Sequence, residues 1–204
     1  MLRAGIISAV VLLTAATDAG AAAPSCPVGE ARSLNSPFGE QIAAGPVLIG
    51  CVRAPHIGSR ELIAYREGTQ LDKSSLCVQI MWPDGSGGSC SGPVPRRVHG
   101  LDSFFGAGST ADGAVEFHGF ASVHVSRATI RYWSYGKLRW QRLVITRVAN
   151  KGVLGTLGLS EPFAFYNVAV PPSARYLAFT ARNKAGKVVH RRYLDCFLGL
   201  RCDR

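Results

Sequence analysis

Beyond an apolar run near its start, the chain alternates apolar and polar residues with a period of two, and no 3.6-residue periodicity follows. Alternation on that period marks strands whose two faces meet different surroundings. The pattern predicts a buried strand at 47–52, a second at 60–66 around Leu62 and Ala64, and a third at 76–82. Pro83-Asp84-Gly85-Ser86-Gly87-Gly88 reads as a turn that returns the chain to Cys90.

From Gly113 onward the alternation becomes more regular. A strand is predicted at 115–120. Val123 and Val125 then share one face, while Ala128, Ile130 and Tyr132 continue on the other parity, which a β-bulge near Ser126-Arg127 accounts for. Tyr135-Gly136-Lys137 turns the chain into a strand at 138–148. Asn150-Lys151-Gly152 and residues 155–158 read as loop. Further strands are predicted at 163–170, closed by Pro171-Pro172, then at 176–181 and at 188–191, with Lys184-Ala185-Gly186-Lys187 as a hairpin turn.

Short strands spaced about ten residues apart and separated by Gly, Pro and Asn indicate a sandwich or barrel. Residues 113–195 supply about six, close to an immunoglobulin-like complement. The expected fold is therefore all-β: an immunoglobulin-like sandwich over 111–204 with an N-terminal disulfide-stapled β extension over 22–110. That extension is either a second small unit or extra strands of the same sandwich.

The chain start and the cysteines set the compartment. Arg3, an apolar run over 4–16 and the small residues Ala19 to Ala23 form a secretory signal peptide pattern, with cleavage expected after Ala21. The run is too short to span a bilayer, and no later segment is long and apolar enough either. Cys26, Cys51, Cys77, Cys90, Cys196 and Cys202 all follow the cut, and an even count in an oxidising compartment argues for three disulfides. Six cysteines allow fifteen pairings. Loop geometry favours Cys77–Cys90 and Cys196–Cys202, leaving Cys26–Cys51 to tie an N-terminal arm to the first strand. A metal or redox site is the competing use, disfavoured because no C-x-x-C and no His at ligand spacing occurs. No metal or cofactor is expected.

Charge is unevenly spread. Residues 22–126 carry 7 basic and 9 acidic side chains, whereas residues 127–204 carry 15 basic and 3 acidic ones, within an overall net charge of +10. So positive a half attracts polyanions over a Debye length of about 8–10 Å. Outside the cell those are anionic wall polymers, acidic lipid headgroups, DNA and acidic glycans. Solubility alone is the competing account.

The string Glu61-Leu-Ile-Ala-Tyr65, Leu76-Cys77-Val78 and Asp84-Gly-Ser-Gly-Gly-Ser-Cys90 resembles a segment of uncharacterised secreted proteins of high-GC Gram-positive bacteria. The second half is similar too, from Phe163 to Pro171 and on to a hairpin spanning Ala181 to Gly186. The resemblance implies a secreted β-rich protein and carries no catalytic or binding residue across.

Known catalytic signatures are few and incomplete. Asp84-Gly85-Ser86-Gly87-Gly88 lacks the base and orienting acid that a serine nucleophile needs. Ser134 and Lys137 have S-x-x-K spacing without partner motifs. His118 and His124 are six apart and approach each other only across a bend; His56, His99 and His190 stand alone. Carboxylate pairs fare no better: glycoside hydrolysis needs two carboxyl groups roughly 5–10 Å apart across a cleft, whereas Glu61 and Glu67 flank one strand and Asp102 and Asp112 sit in loop-like stretches.

One constellation remains. Arg131-Tyr132-Trp133-Ser134-Tyr135-Gly136-Lys137-Leu138-Arg139-Trp140-Gln141-Arg142 interleaves cations with aromatics around a hairpin turn. Rings stack on sugars or bases while Arg and Lys neutralise phosphates or carboxylates. Strand parity puts Arg131 with Trp133, opposite Tyr132, and Trp140 with Arg142, opposite Arg139 and Gln141. Trp133 is also a candidate core residue, because sandwiches often bury one tryptophan. The expected function is a secreted, non-enzymatic binding protein for an extracellular polyanion such as an envelope polymer, or for another surface protein. Its candidate contacts are Arg131, Tyr135, Lys137, Arg139, Trp140 and Arg142, extended by Arg147, Lys151, Arg191 and Arg192. A hydrolase of envelope polymers is the alternative.

Overall fold

The computed structural model describes residues 26–33, 41–54, 58–82, 85–93, 100–101 and 113–194. Cys196 and Cys202, and the proposed signal peptide, lie outside the described residues. The fold is all-β: the described residues form eleven strands in three antiparallel sheets and one short helix. The N-terminal sheet runs in sequence order: β1 (Ile42–Ala54), β2 (Gly58–Glu67), β3 (Ser75–Trp82) and β4 (Gly85–Pro93). The middle sheet is β5 (Val115–Ala121), β9 (Phe163–Val170) and β8 (Val144–Val148), with β9 in the centre. The C-terminal sheet has the order β11 (Val188–Leu194), β10 (Arg175–Asn183), β6 (Val125–Ser134) and β7 (Lys137–Arg142).

Every residue of β9 is buried. Its sequence, Phe-Ala-Phe-Tyr-Asn-Val-Ala-Val, does not alternate apolar with polar, as befits a strand covered on both faces. Phe163 and Phe165 join Phe120, Val148, Leu62, Val78 and Ile80 in one core. Ala164, Tyr166 and Val168 join Phe117, Ile130, Tyr132, Leu177 and Phe179 in the other. The middle sheet is thus shared by two hydrophobic cores, one against each outer sheet, and β1–β4 form a third layer.

Among the described residues, disulfides join Cys26 to Cys51 and Cys77 to Cys90. The arm that carries Cys26 also pairs with β1, through Leu48 N–H to Glu30 O and an Ala31–Val47 bridge. The bulge falls at Ser126: Arg182 pairs with Arg127 and Asn183 with Val125, leaving Ser126 without a partner position.

Four local expectations are corrected. The Gly-rich stretch from Gly85 is strand β4 and not a turn; a Cβ at Gly88 would stand 2.7 Å from Val78 O, so glycine permits the close pairing. The stretch 138–148 is two strands, because the chain leaves the C-terminal sheet at Leu143 and enters the middle one. Residues 151–156 form helix α1 (Lys151–Thr156), where the Asn150 side chain accepts from the Gly152 and Val153 amides and so satisfies open N-terminal donors. Trp133 is 47% exposed; the aromatic that enters the core is its neighbour Tyr132, on the opposite parity.

Because β9 belongs to both cores, truncation at Phe165 acts beyond its own side. Phe165→Ala should lower unfolding free energy by about 3–5 kcal/mol. Hydrogen exchange should then accelerate in β10 as well as in β3. Two separate urea transitions, with β10 protection unchanged, would contradict the shared-core account.

Candidate functional site

The outward face of the C-terminal sheet is built by a tight hairpin. Tyr135 and Gly136 both adopt positive φ, 50° and 70°, the backbone of a two-residue turn that keeps right-twisted strands in register. Register then aligns side chains in rows across the four strands. Trp140 (β7), Arg131 (β6), Ala178 (β10) and Tyr193 (β11) form one row. Arg142, Thr129, Thr180 and Arg191 form the next. Beyond the first row, Leu138 pairs with Trp133 and Trp133 with Arg175.

Small residues in the centre and large ones at the flanks make a shallow groove of about 330 Å³, lined by Thr129, Arg131, Trp140, Ala178, Thr180, Arg182, Arg191 and Tyr193. Trp140 and Tyr193 flank it from β7 and β11, three strand spacings or roughly 14 Å apart. Trp140 is 69% exposed and Tyr193 56%, amounts that burial against this fold does not explain. The four strands carry nine Lys or Arg residues and no Asp or Glu. Arg182 donates to Gly186 O, which fixes its position at the β10–β11 turn.

Of the residues expected from sequence, Arg131, Trp140, Arg142 and Arg191 come together on this face. Tyr135, 87% exposed, and Lys137 stand at the hairpin turn. Arg139 and Arg192 have the opposite parity, paired with Tyr132 and Phe179. Arg147 donates to Val125 O, bracing the junction of the middle and C-terminal sheets. Lys151 opens α1. Trp133, Tyr193, Arg182 and the Thr129–Thr180 floor are additional members. Their signal in the sequence was strand parity, but the register that joins β6 to β10 and β11 spans some fifty residues and is not written locally.

A second concavity, about 550 Å³, lies beside Arg66, Leu71, Asp72, Leu159, Ser160 and Glu161. Its buried charge is committed to structure: Arg66 donates to Ser74 Oγ at 2.9 Å and to the Leu71 and Ser74 carbonyls at 2.7 and 2.8 Å. That guanidinium clamps the β2–β3 connection.

A third polar group is buried between the N-terminal and middle sheets. His118 stacks on Phe165 with ring centroids 6.1 Å apart, opposite Asn167 in register and two residues from Glu116. Burial holds the His118 imidazole below its ordinary pKa of 6.5, opposed in part by the Gly88 backbone. Burial raises Glu116, while the Arg60 charge and the approach of the Asn167 amide oppose the rise. His124 is exposed, whereas His118 is buried. Among the described residues, the one cluster with metal-ligand geometry is Glu67, Cys77 and Cys90, whose sulfurs are joined in a disulfide. No helix of the described residues is long and apolar enough to cross a membrane.

No family model, curated protein or solved structure matches the chain.

The neutral form of His118 stabilises the fold fully above its unfolded value near 6.5, and that contribution is lost as pH falls from there through the depressed folded value. Stability should decline on acidification below about pH 6.5, and His118→Phe should flatten the decline. Parallel curves for the two proteins between pH 7 and 5 would show that His118 does not titrate on unfolding.

Proposed function

We propose that this is a secreted binding protein whose C-terminal sheet holds an extended extracellular polyanion, such as an anionic envelope polymer, along its outward face. The observation that carries the reading is the segregation of nine cations and no acid on four strands, with Trp133, Trp140 and Tyr193 exposed among them. Cations supply attraction that does not depend on sequence or linkage, and exposed rings offer surfaces on which cyclic units stack. A groove floored by Ala178, Thr129 and Thr180 leaves room for a polymer chain between the two flanking aromatics.

Binding, and not cleavage, fits this face. Glycoside hydrolysis uses two carboxyl groups flanking the bond, and the four strands contain none. Secretion rests on the N-terminal signal pattern and on the two disulfides, which persist in oxidising compartments. An immunoglobulin-like relation for residues 113–194 belongs to the same proposal, supported by the packing of a four-stranded sheet against a three-stranded one.

Two variants of equal charge separate a built face from general positivity. Arg131→Gln, Arg142→Gln and Arg191→Gln together remove three cations from the groove. Lys137→Gln, Arg139→Gln and Lys151→Gln remove three from elsewhere. Sedimentation with cell-wall polymer, polyuronate and single-stranded DNA across a salt series should show the groove variant losing affinity. Its log–log salt slope should shrink by about 2 relative to wild type. The second variant should stay near wild type. Equal losses in both would leave only bulk charge and defeat the proposal.

A further inference from the structure

The guanidinium that clamps the β2–β3 connection carries a charge that the fold does not neutralise. Arg66 shares the strand parity of Leu62 and Ala64, which turns it toward the middle sheet, and it is 2% exposed. The clamp takes two of its three nitrogens: Nε donates to Ser74 Oγ, and Nη2 to the Leu71 and Ser74 carbonyls. All of these acceptors are neutral. Among the described residues Nη1 donates to no acceptor, and no carboxylate stands within ion-pair distance of Arg66. Burial holds the group below its ordinary range, and no acidic neighbour offsets that effect. A cation withdrawn from water and held only by dipoles is a partner for an anion that the chain does not supply.

Arg66 lines a concavity whose walls are two fixed loops. Leu71 and Asp72 come from the β2–β3 connection, where Ser74 Oγ donates to Leu71 O. Leu159, Ser160 and Glu161 come from the segment after α1, where the Gly158 and Leu159 amides bond back to the Gly155 and Leu154 carbonyls. The loops touch at Gly158, whose φ is 63°; a Cβ there would stand 2.7 Å from Leu71 Cδ2, so glycine permits the contact. A buried cation therefore lies beneath a rim that carries two exposed carboxylates, Asp72 and Glu161, and two leucines.

We propose that this concavity binds an amino-acid zwitterion with an apolar side chain. The ligand carboxylate takes Arg66 Nη1, its ammonium group meets Asp72 and Glu161, and its side chain lies on Leu71 and Leu159. Charge excludes simpler ligands. A lone anion is repelled by the two rim carboxylates, and a lone cation by the guanidinium beneath them. A zwitterion forms a charge-assisted pair at each end. A volume of about 550 Å³ admits such a molecule. The inference is independent of the reading of the C-terminal sheet.

Leucine carries both charges, N-acetyl-leucine the negative one alone, and leucinamide the positive one alone. Each would be titrated into isotopically labelled residues 22–204 while the Arg66 guanidinium and the Leu71 and Leu159 methyl signals are followed. Leucine should give saturable shifts at these three residues. The two blocked forms should bind about tenfold more weakly, the loss of one charge-assisted pair. Asp72→Asn together with Glu161→Gln should weaken leucine by a similar factor and strengthen N-acetyl-leucine, closing the gap between them. Arg66→Gln should abolish binding of leucine; if that variant fails to fold, the rim variant, whose changes lie on exposed loops, carries the test alone. Absence of saturable shifts with leucine, or wild-type binding of either blocked form as tight as leucine, would overturn the assignment. An unchanged preference for leucine in the folded rim variant would overturn it equally.

Discussion

The architecture depends on burying one three-stranded sheet on both of its faces. β9 contributes Phe163 and Phe165 to one core and Tyr166 and Val168 to the other, so neither outer sheet can be removed without exposing large apolar side chains. At about 25 cal/mol per Å² of apolar surface, each such face is worth many times the contribution of an exposed ion pair. The visible surface pairs, Arg32 with Glu30 and Glu61, therefore decorate a fold that the double burial determines.

Double burial also sorts the polar residues. Strands β5 and β9 of the middle sheet are closed to water, and the polar side chains they bury, Glu116, His118 and Asn167, lie where burial disfavours the charged forms of Glu116 and His118. Charge is displaced to the outside of the outer sheets. On the C-terminal sheet it accumulates with one sign, and the same strand alternation that delivers Ile130, Tyr132 and Phe179 to the core delivers Arg131, Trp133 and Thr180 to solvent. A cationic face with aromatic flanks is a by-product of sandwich geometry only if its composition is random. The four strands hold nine cations and no acid, six of them (Arg127, Arg131, Arg142, Arg175, Arg182 and Arg191) with the outward parity, and that is the departure the binding proposal accounts for.

Much of this was legible in the residues. Alternation and turn dipeptides located most strands and the Ser126 bulge, and they gave the all-β class, because strand periodicity is a local signal. What stayed hidden was non-local. Nothing between Lys137 and Val148 marks the change of sheet at Leu143, since both strands read as one alternating run. The apolar run at 163–170 marked a strand but not that two sheets share it. Asn150 is a good cap, yet Gly152 and Gly155 weaken the helix it starts, so a loop was the natural reading. At the site, parity put Arg131 with Trp133 and Trp140 with Arg142, and the fold keeps those groupings. Tyr193 and Arg191 reach the same face only through the β10 pairing. The contact between Glu67 and two cysteines ten and twenty-three residues away has no signature in the sequence at all.

The most direct measurement of the central claim is amide and side-chain chemical-shift mapping of isotopically labelled residues 22–204 with a short anionic oligomer. Shifts confined to Thr129, Arg131, Trp140, Thr180, Arg191 and Tyr193, with the Trp133 and Trp140 indole signals moving together, are the predicted result. Shifts centred on Lys137, Arg139 and the hairpin tip, or spread evenly over every cation of the chain, would contradict the groove as the binding surface.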